Sequence, residues 1–237
     1  MLAGPRETPS FLPLIAMPAI SQSERTFHSG GKSIRLDAYL PEESNGPIPA
    51  VVALYGAGGN VPGMERYASK LAAEGFAVYL LHYFDRTGVA PSDLQMMKLN
   101  FPLWMKTLWD GITFVEAEPQ VDRNRIALLG FSLGAYLSLA NSAIDPRVKA
   151  VVEFFGGMPK EMQLFMRRLC PVLILHGEDD ATVPVDEAYQ LQKLLEKKRI
   201  DYEIKIYSGA GHGFADQEIW QDAGLRSLAF LRKHLNP

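Results

Sequence analysis

The chain holds a single cysteine, Cys170, so no disulfide can form within it, and cysteine usage leaves its compartment open. It has no run of about 18 apolar residues, and no membrane span is expected. Neither sign of charge is in large excess: 24 basic against 27 acidic residues leave a formal charge of −3. That balance offers no basic footprint for nucleic acid and no polybasic patch for a membrane surface. Internal repeats and low-complexity tracts are missing too, which argues against solenoids and disordered arms. What is present is ordinary globular material, 237 residues with 47% hydrophobic and 22% charged. This is enough for one α/β domain with a full core.

The first 22 residues are ambiguous. Arg6 precedes the apolar stretch 11–20, which has the length of a signal-peptide core, but Pro13 and Pro18 interrupt it and no small-x-small cleavage site follows. The expectation is an extended arm packed on the body, with a signal peptide as the alternative and a cytoplasmic location as the default. A catalytic domain is expected over 23–237.

Beyond the arm, strand and helix patterns alternate. Residues 25–28 and 34–40 read as a hairpin about Ser29-Gly30-Gly31-Lys32. Residues 50–55, 76–81, 125–129, 148–154, 171–175 and 202–207 read as strands, several of them continuously apolar, as strands buried on both faces are. Helices are expected over 64–74 (closed by Gly75), 93–118 (weakened at Pro102), 133–143, 185–198 and 219–234, with a polar loop over 83–92. Such alternation predicts a mainly parallel sheet with helices on both faces. The short connection between 154 and 171 leaves no room for a large lid domain.

The strongest chemical signal is Gly130-Phe131-Ser132-Leu133-Gly134, a G-x-S-x-G sequence set between a predicted strand and a predicted helix. In that context it reads as the nucleophile elbow of an α/β-hydrolase, where serine sits on a strained turn and glycines permit close packing. A free serine is a poor nucleophile and needs a base. In this fold the order is serine, acid, histidine, so among five histidines only His212 and His234 come late enough. His212 lies in the loop Gly209-Ala210-Gly211-His212-Gly213-Phe214. His234 lies in the last helical turn, where a surface role beside the dipole's negative end is the plainer reading. The acid should follow the strand 171–175, where Glu178, Asp179 and Asp180 compete. Asp180 is chosen for its place three residues after Gly177 and three before Val183. Glu178 and Asp179 fit as acids at a helix start.

Taken together and in order, Gly-Phe-Ser132-Leu-Gly, His-Gly-x-x-Asp180-x-x-Val-Pro and Gly-x-Gly-His212-Gly-Phe resemble the dienelactone hydrolase family, over roughly residue 23 to the C-terminus. The resemblance implies an eight-stranded, mostly parallel sheet and hydrolysis of esters or lactones without metal or cofactor. One departure stands out. Founding members carry cysteine as nucleophile, where this chain has Ser132, and Ala135 replaces a following glycine. Cys170, at a strand start, reads as packing. A general small-ester hydrolase is therefore favoured over strict dienelactone specificity.

The oxyanion hole is expected from the Leu133 N–H and an N–H of the loop after Tyr55, with Ala57 first and Gly58 second. The Tyr55 hydroxyl is a further candidate donor, against the commoner case of a buried tyrosine at a strand end. The family resemblance also implies that an arginine after the strand 76–81 holds a substrate carboxylate. Arg86 occupies that region, and its guanidinium fork suits the task. A surface Arg86 paired with Asp85 or Asp93 is the competing reading. The expected partner is a small ester or lactone. A serine peptidase or acyltransferase would use the same three residues, and a catalytically silent binding protein is the remaining rival.

Overall fold

Eight strands form one sheet in the order β1-β2-β4-β3-β5-β6-β7-β8 in the computed structural model, which describes residues 19–44, 46–59, 63–166 and 168–235. The strands are β1 (Ile20–Ser29), β2 (Lys32–Pro41), β3 (Ile48–Leu54), β4 (Ala77–Leu81), β5 (Val121–Phe131), β6 (Val148–Phe154), β7 (Val172–Gly177) and β8 (Tyr202–Tyr207). β1 and β2 form an antiparallel hairpin, β2 meets β4 antiparallel, and every pairing from β4 through β8 is parallel. The central strands read as unbroken apolar runs because both their faces are covered. All of β4 and β7 is buried, and so is β3 after its first residue.

The helices are α1 (Met64–Ala73), α2 (Leu94–Glu116), α3 (Leu133–Ser142), α4 (Lys160–Phe165), α5 (Asp186–Lys198) and α6 (Gln217–Leu235). α1 and α6 lie side by side on one face, tied by Arg232 to Glu74. α2, α3 and α5 occupy the other. Arg147 beyond α3 reaches Thr113 and Glu116 of α2, and Glu187 of α5 lies against Tyr136 of α3. The sheet with its two helical layers and no large lid matches the expected architecture.

Several boundaries moved. The hairpin starts at Ile20, so residues 20–22, assigned to the arm, belong to the sheet, while residues 1–18 lie outside the described residues. Edge-strand residues Ser21, Gln22 and Glu24 are exposed, and their polarity hid the strand. β5 begins at Val121 rather than Arg125, for the same reason, with Asp122 to Asn124 polar. α2 runs unbroken through Pro102. Proline forfeits one intrahelical bond there, but it and Lys98 are both exposed, so water can take the carbonyl left over. The expected polar loop after β4 opens with a 3-10 turn, Tyr83–Arg86, and the short α4 had no counterpart in the sequence reading.

Candidate active site

The parallel strands bring their carboxyl ends to one edge of the sheet, where ligands bind in open α/β folds. Ser132 follows β5, Asp180 follows β7, and His212 sits in the loop after β8.

Ser132 has φ 53° and ψ −117°, a left-handed conformation that costs a non-glycine residue about 1–3 kcal/mol. The flanking glycines are steric necessities. A β-carbon on Gly130 would lie 2.3 Å from the Gly134 carbonyl oxygen, and one on Gly134 would lie 2.4 Å from that of Leu54. The turn is held by hydrogen bonds at both ends. The Ser132 N–H donates to the Phe154 carbonyl at 2.9 Å, extending the β5–β6 ladder, and the Ser132 carbonyl accepts from the Ala135 and Tyr136 N–H groups.

The serine hydroxyl Oγ lies 3.1 Å from His212 Nε2, and His212 Nδ1 lies 2.7 Å from Asp180 Oδ2. With the carboxylate accepting, Nδ1 carries the ring proton and Nε2 is free to accept from the serine. Asp180 is buried, at 6% exposure, and its other oxygen accepts the Thr182 and Val183 N–H groups, each at 2.8 Å. Those bonds fix the carboxylate so that one oxygen remains for the imidazole. Gly177 lets the acid loop lie against the histidine loop, since a β-carbon there would sit 2.3 Å from the Ala210 carbonyl. The rival acids are used elsewhere. Glu178 accepts the Ser208 hydroxyl at 2.6 Å, and Asp179 is exposed. His176 Nε2 donates to the Val183 carbonyl, 2.8 Å away, and burial holds its pKa below the usual imidazole value. It props the acid loop as a neutral ring.

The Leu133 N–H is the first of α3 and has no intrahelical acceptor. Gly56 to Gly59 form a turn closed by the Gly59 N–H on the Gly56 carbonyl, 3.0 Å, with Ala57 and Gly58 at its centre. The turn presses close on Ser132, since a β-carbon on Gly56 would be 3.1 Å from its Cβ. Ala57 and Gly58 both line the cavity above Ser132.

Tyr55 and Arg86 do not join them. Tyr55 is buried, stacked on Tyr83 at 4.8 Å, and burial pushes its phenol well above the usual tyrosine range. Arg86 matches neither expectation. Its Nη1 donates to the carbonyls of Ser29 (2.8 Å) and Gly30 (2.5 Å), so it clasps the β1–β2 turn and does not line the cavity. Its supposed partners are taken, Asp85 by Arg35 and Asp93 by the Met96 N–H that it caps. Cys170 is buried, with its thiol pushed up to about 12 by burial, as a packing residue's would be.

The cavity has a volume of about 800 Å³. Ser132 and His212 open into it beside Phe131, Phe155, Phe214, Tyr67 and Trp220. Phe155 has φ 42° and meets the His212 ring edge-on at 4.8 Å. Of these, Phe131 and Phe214 belong to the glycine-flanked motifs about Ser132 and His212. The rest come from separate elements, and no local sequence signal joins them. Among the described residues no three His, Cys, Asp or Glu side chains gather as a metal site requires. Nor is any described helix long and apolar enough to cross a membrane.

Comparison with known proteins settles the family. The profile of the dienelactone hydrolase family matches residues 36–224. The chain belongs to the dienelactone hydrolase family. It is 26% identical to a Yersinia pestis protein named "Putative carboxymethylenebutenolidase", over 89% of this chain and 88% of that one. It is 30% identical to acyl-coenzyme A thioesterase 1 of Mus musculus over 53% of this chain, which spans only 27% of that protein. Among solved structures, a dienelactone hydrolase from Anabaena variabilis superposes with a TM-score of 0.75 at 19% identity, over 92% of this chain and 99% of that one, a likeness of fold. The chain is thus a hydrolase of this family.

Proposed function

We propose that the protein is a serine hydrolase that cleaves small carboxylic esters or lactones through an acyl-enzyme. The observation that carries this reading is the hydrogen-bonded series Ser132–His212–Asp180, with its nucleophile opening into an aromatic cavity. His212 Nε2 takes the Ser132 proton as Oγ attacks the carbonyl carbon. The carbonyl oxygen gains negative charge and is held by the Leu133 N–H and the Ala57 N–H, donors fixed before the reaction begins. Asp180 stabilises the imidazolium and keeps the ring aligned. The tetrahedral intermediate collapses, and His212 returns the proton to the departing alkoxide. Water, activated by the same imidazole, then attacks the acyl-enzyme, and release of the acid restores Ser132. In a lactone the alcohol stays tethered to the acyl group and leaves with it.

A thioester carbonyl can be attacked by the same steps, and the similarity to acyl-coenzyme A thioesterases over half the chain favours this as a second substrate class. A peptidase reading rests on the shared three residues and on a likeness of fold to solved peptidases. A panel of 4-nitrophenyl esters, lactones, thioesters and peptide anilides separates the three. Ester turnover should dominate, a fluorophosphonate probe should label Ser132, and Ser132→Ala should lose several powers of ten in kcat with its fold intact. A Ser132→Ala enzyme of near-native kcat would overturn the proposal.

A further inference from the structure

The cavity has two chemically different zones. Its buried wall is aromatic and apolar, with Phe131, Phe155 and Phe214 each under 9% exposed. The exposed mouth is polar. Arg66 and Lys70 stand one turn apart on α1, and Gln217 and Gln221 stand one turn apart on α6 across from them. Among the described residues no carboxylate lines the cavity, so the mouth holds two positive charges in a chain whose net charge is −3. Among the described residues neither Arg66 nor Lys70 forms an ion pair or a side-chain hydrogen bond. Of the acids nearby, Glu74 is paired with Arg232. Two uncompensated cations beside a low-dielectric wall attract and orient an anion. Guanidinium supplies a fork for carboxylate or phosphate, and ammonium supplies a point charge next to it.

We propose that Arg66 and Lys70 bind an anionic group, carboxylate or phosphate, carried on the leaving-group half of the substrate. The inference rests on the acyl-transfer reading of Ser132. An apolar acyl group fits the buried aromatic wall, which leaves the exposed mouth to the alcohol or thiol. Arg86, the cation expected to hold a carboxylate, is occupied by backbone carbonyls, so α1 supplies the free positive charge instead.

The test compares the native enzyme with Arg66→Gln/Lys70→Gln, both sites being exposed and free of partners. The reference is 4-nitrophenyl butyrate. The carboxylate arm uses 3-carboxy-4-nitrophenyl butyrate, and the phosphate arm uses butyryl-coenzyme A against S-butyryl-N-acetylcysteamine. A control arm, the 4-nitrophenyl hemiester of glutaric acid, places the carboxylate on the acyl half. The double variant should lose about tenfold in kcat/KM on at least one anionic leaving group, as two exposed charge contacts imply. It should keep the neutral substrates and the glutarate hemiester within twofold. High salt should remove the difference. Equal ratios in both enzymes, or a loss confined to the glutarate hemiester, overturns this assignment while leaving the esterase reading in place. Failure of every substrate, together with no fluorophosphonate labelling, overturns both.

Discussion

Replacing Glu153 with glutamine should abolish the pH dependence that this one side chain imposes on stability. Glu153 lies near the end of β6 with no exposed surface. Its Oε2 accepts the Gly156 N–H at 2.9 Å, and its Oε1 has no partner among the described residues. Burial pushes its pKa up to about 8, against a weaker downward pull from the Gly156 bond. The unfolded chain releases this proton near pH 4.5, while the folded chain keeps it until about pH 8. Between those values the folded state binds one more proton than the unfolded state. The contribution to stability is therefore complete below about pH 4.5 and is lost as pH rises through 8. The slope is about 1.4 kcal/mol per pH unit, so the loss approaches roughly 4 kcal/mol by pH 8 as an upper bound. Glu153→Gln keeps an oxygen for Gly156 and cannot ionise. Urea unfolding at intervals from pH 5 to 9, read as variant minus native, cancels all other titrations. The two proteins should be nearly equal at pH 5, and the variant should be more stable by a few kcal/mol at pH 8. A difference that stays flat across the range would refute the argument.

Three further outcomes test the site and its frame. On 4-nitrophenyl butyrate, Asp180→Asn should cost about 10⁴ in kcat by misdirecting the imidazole, while Asp179→Asn should cost little; the reverse ranking would move the acid. Gly134→Ala should lower the thermal midpoint, because its β-carbon would sit 2.4 Å and 2.6 Å from the carbonyl oxygens of Leu54 and Tyr55. Backbone there must shift, at about 1–3 kcal/mol. Arg86→Met should destabilise the β1–β2 turn by roughly 1–3 kcal/mol in denaturant titration. It should leave kcat/KM unchanged for charged and neutral esters alike, and a selective loss on anionic esters would return Arg86 to the site.

The catalytic candidates were legible because each needs a local backbone device that leaves a mark. The elbow needs Gly130 and Gly134, the acid loop needs Gly177 for its close approach to Ala210, and the base sits among glycines. The central strands were legible because burial on both faces makes them continuously apolar. Edge strands gave no such signal, so the start of β1 was read five residues late. The cavity wall was illegible for another reason. Arg66 on α1, Phe155 after β6 and Trp220 on α6 meet only when the two ends of the sheet's helical layer come together. Glu153 looked like a polar interruption in an apolar run. Only the folded neighbourhood shows that it lacks water. Arg86 was misread because its position along the chain was right, while its side chain turned back to the hairpin carbonyls.

The spacing of strands beneath the reacting groups has a consequence for how this scaffold can diversify. Ser132 follows β5 and Asp180 follows β7, so the strand between them, β6, ends under the gap that His212 spans. The connection leaving β6 therefore begins at the cavity, with Phe155 in its wall. Here it is brief and carries only α4. Chain added between Gly157 and Cys170 would lengthen this connection without disturbing the ladder that aligns the three residues. The length of this connection and the alignment of Ser132, His212 and Asp180 in this way fall to different stretches of chain, so the first can drift through insertions while the second stays fixed by hydrogen bonds between neighbouring strands.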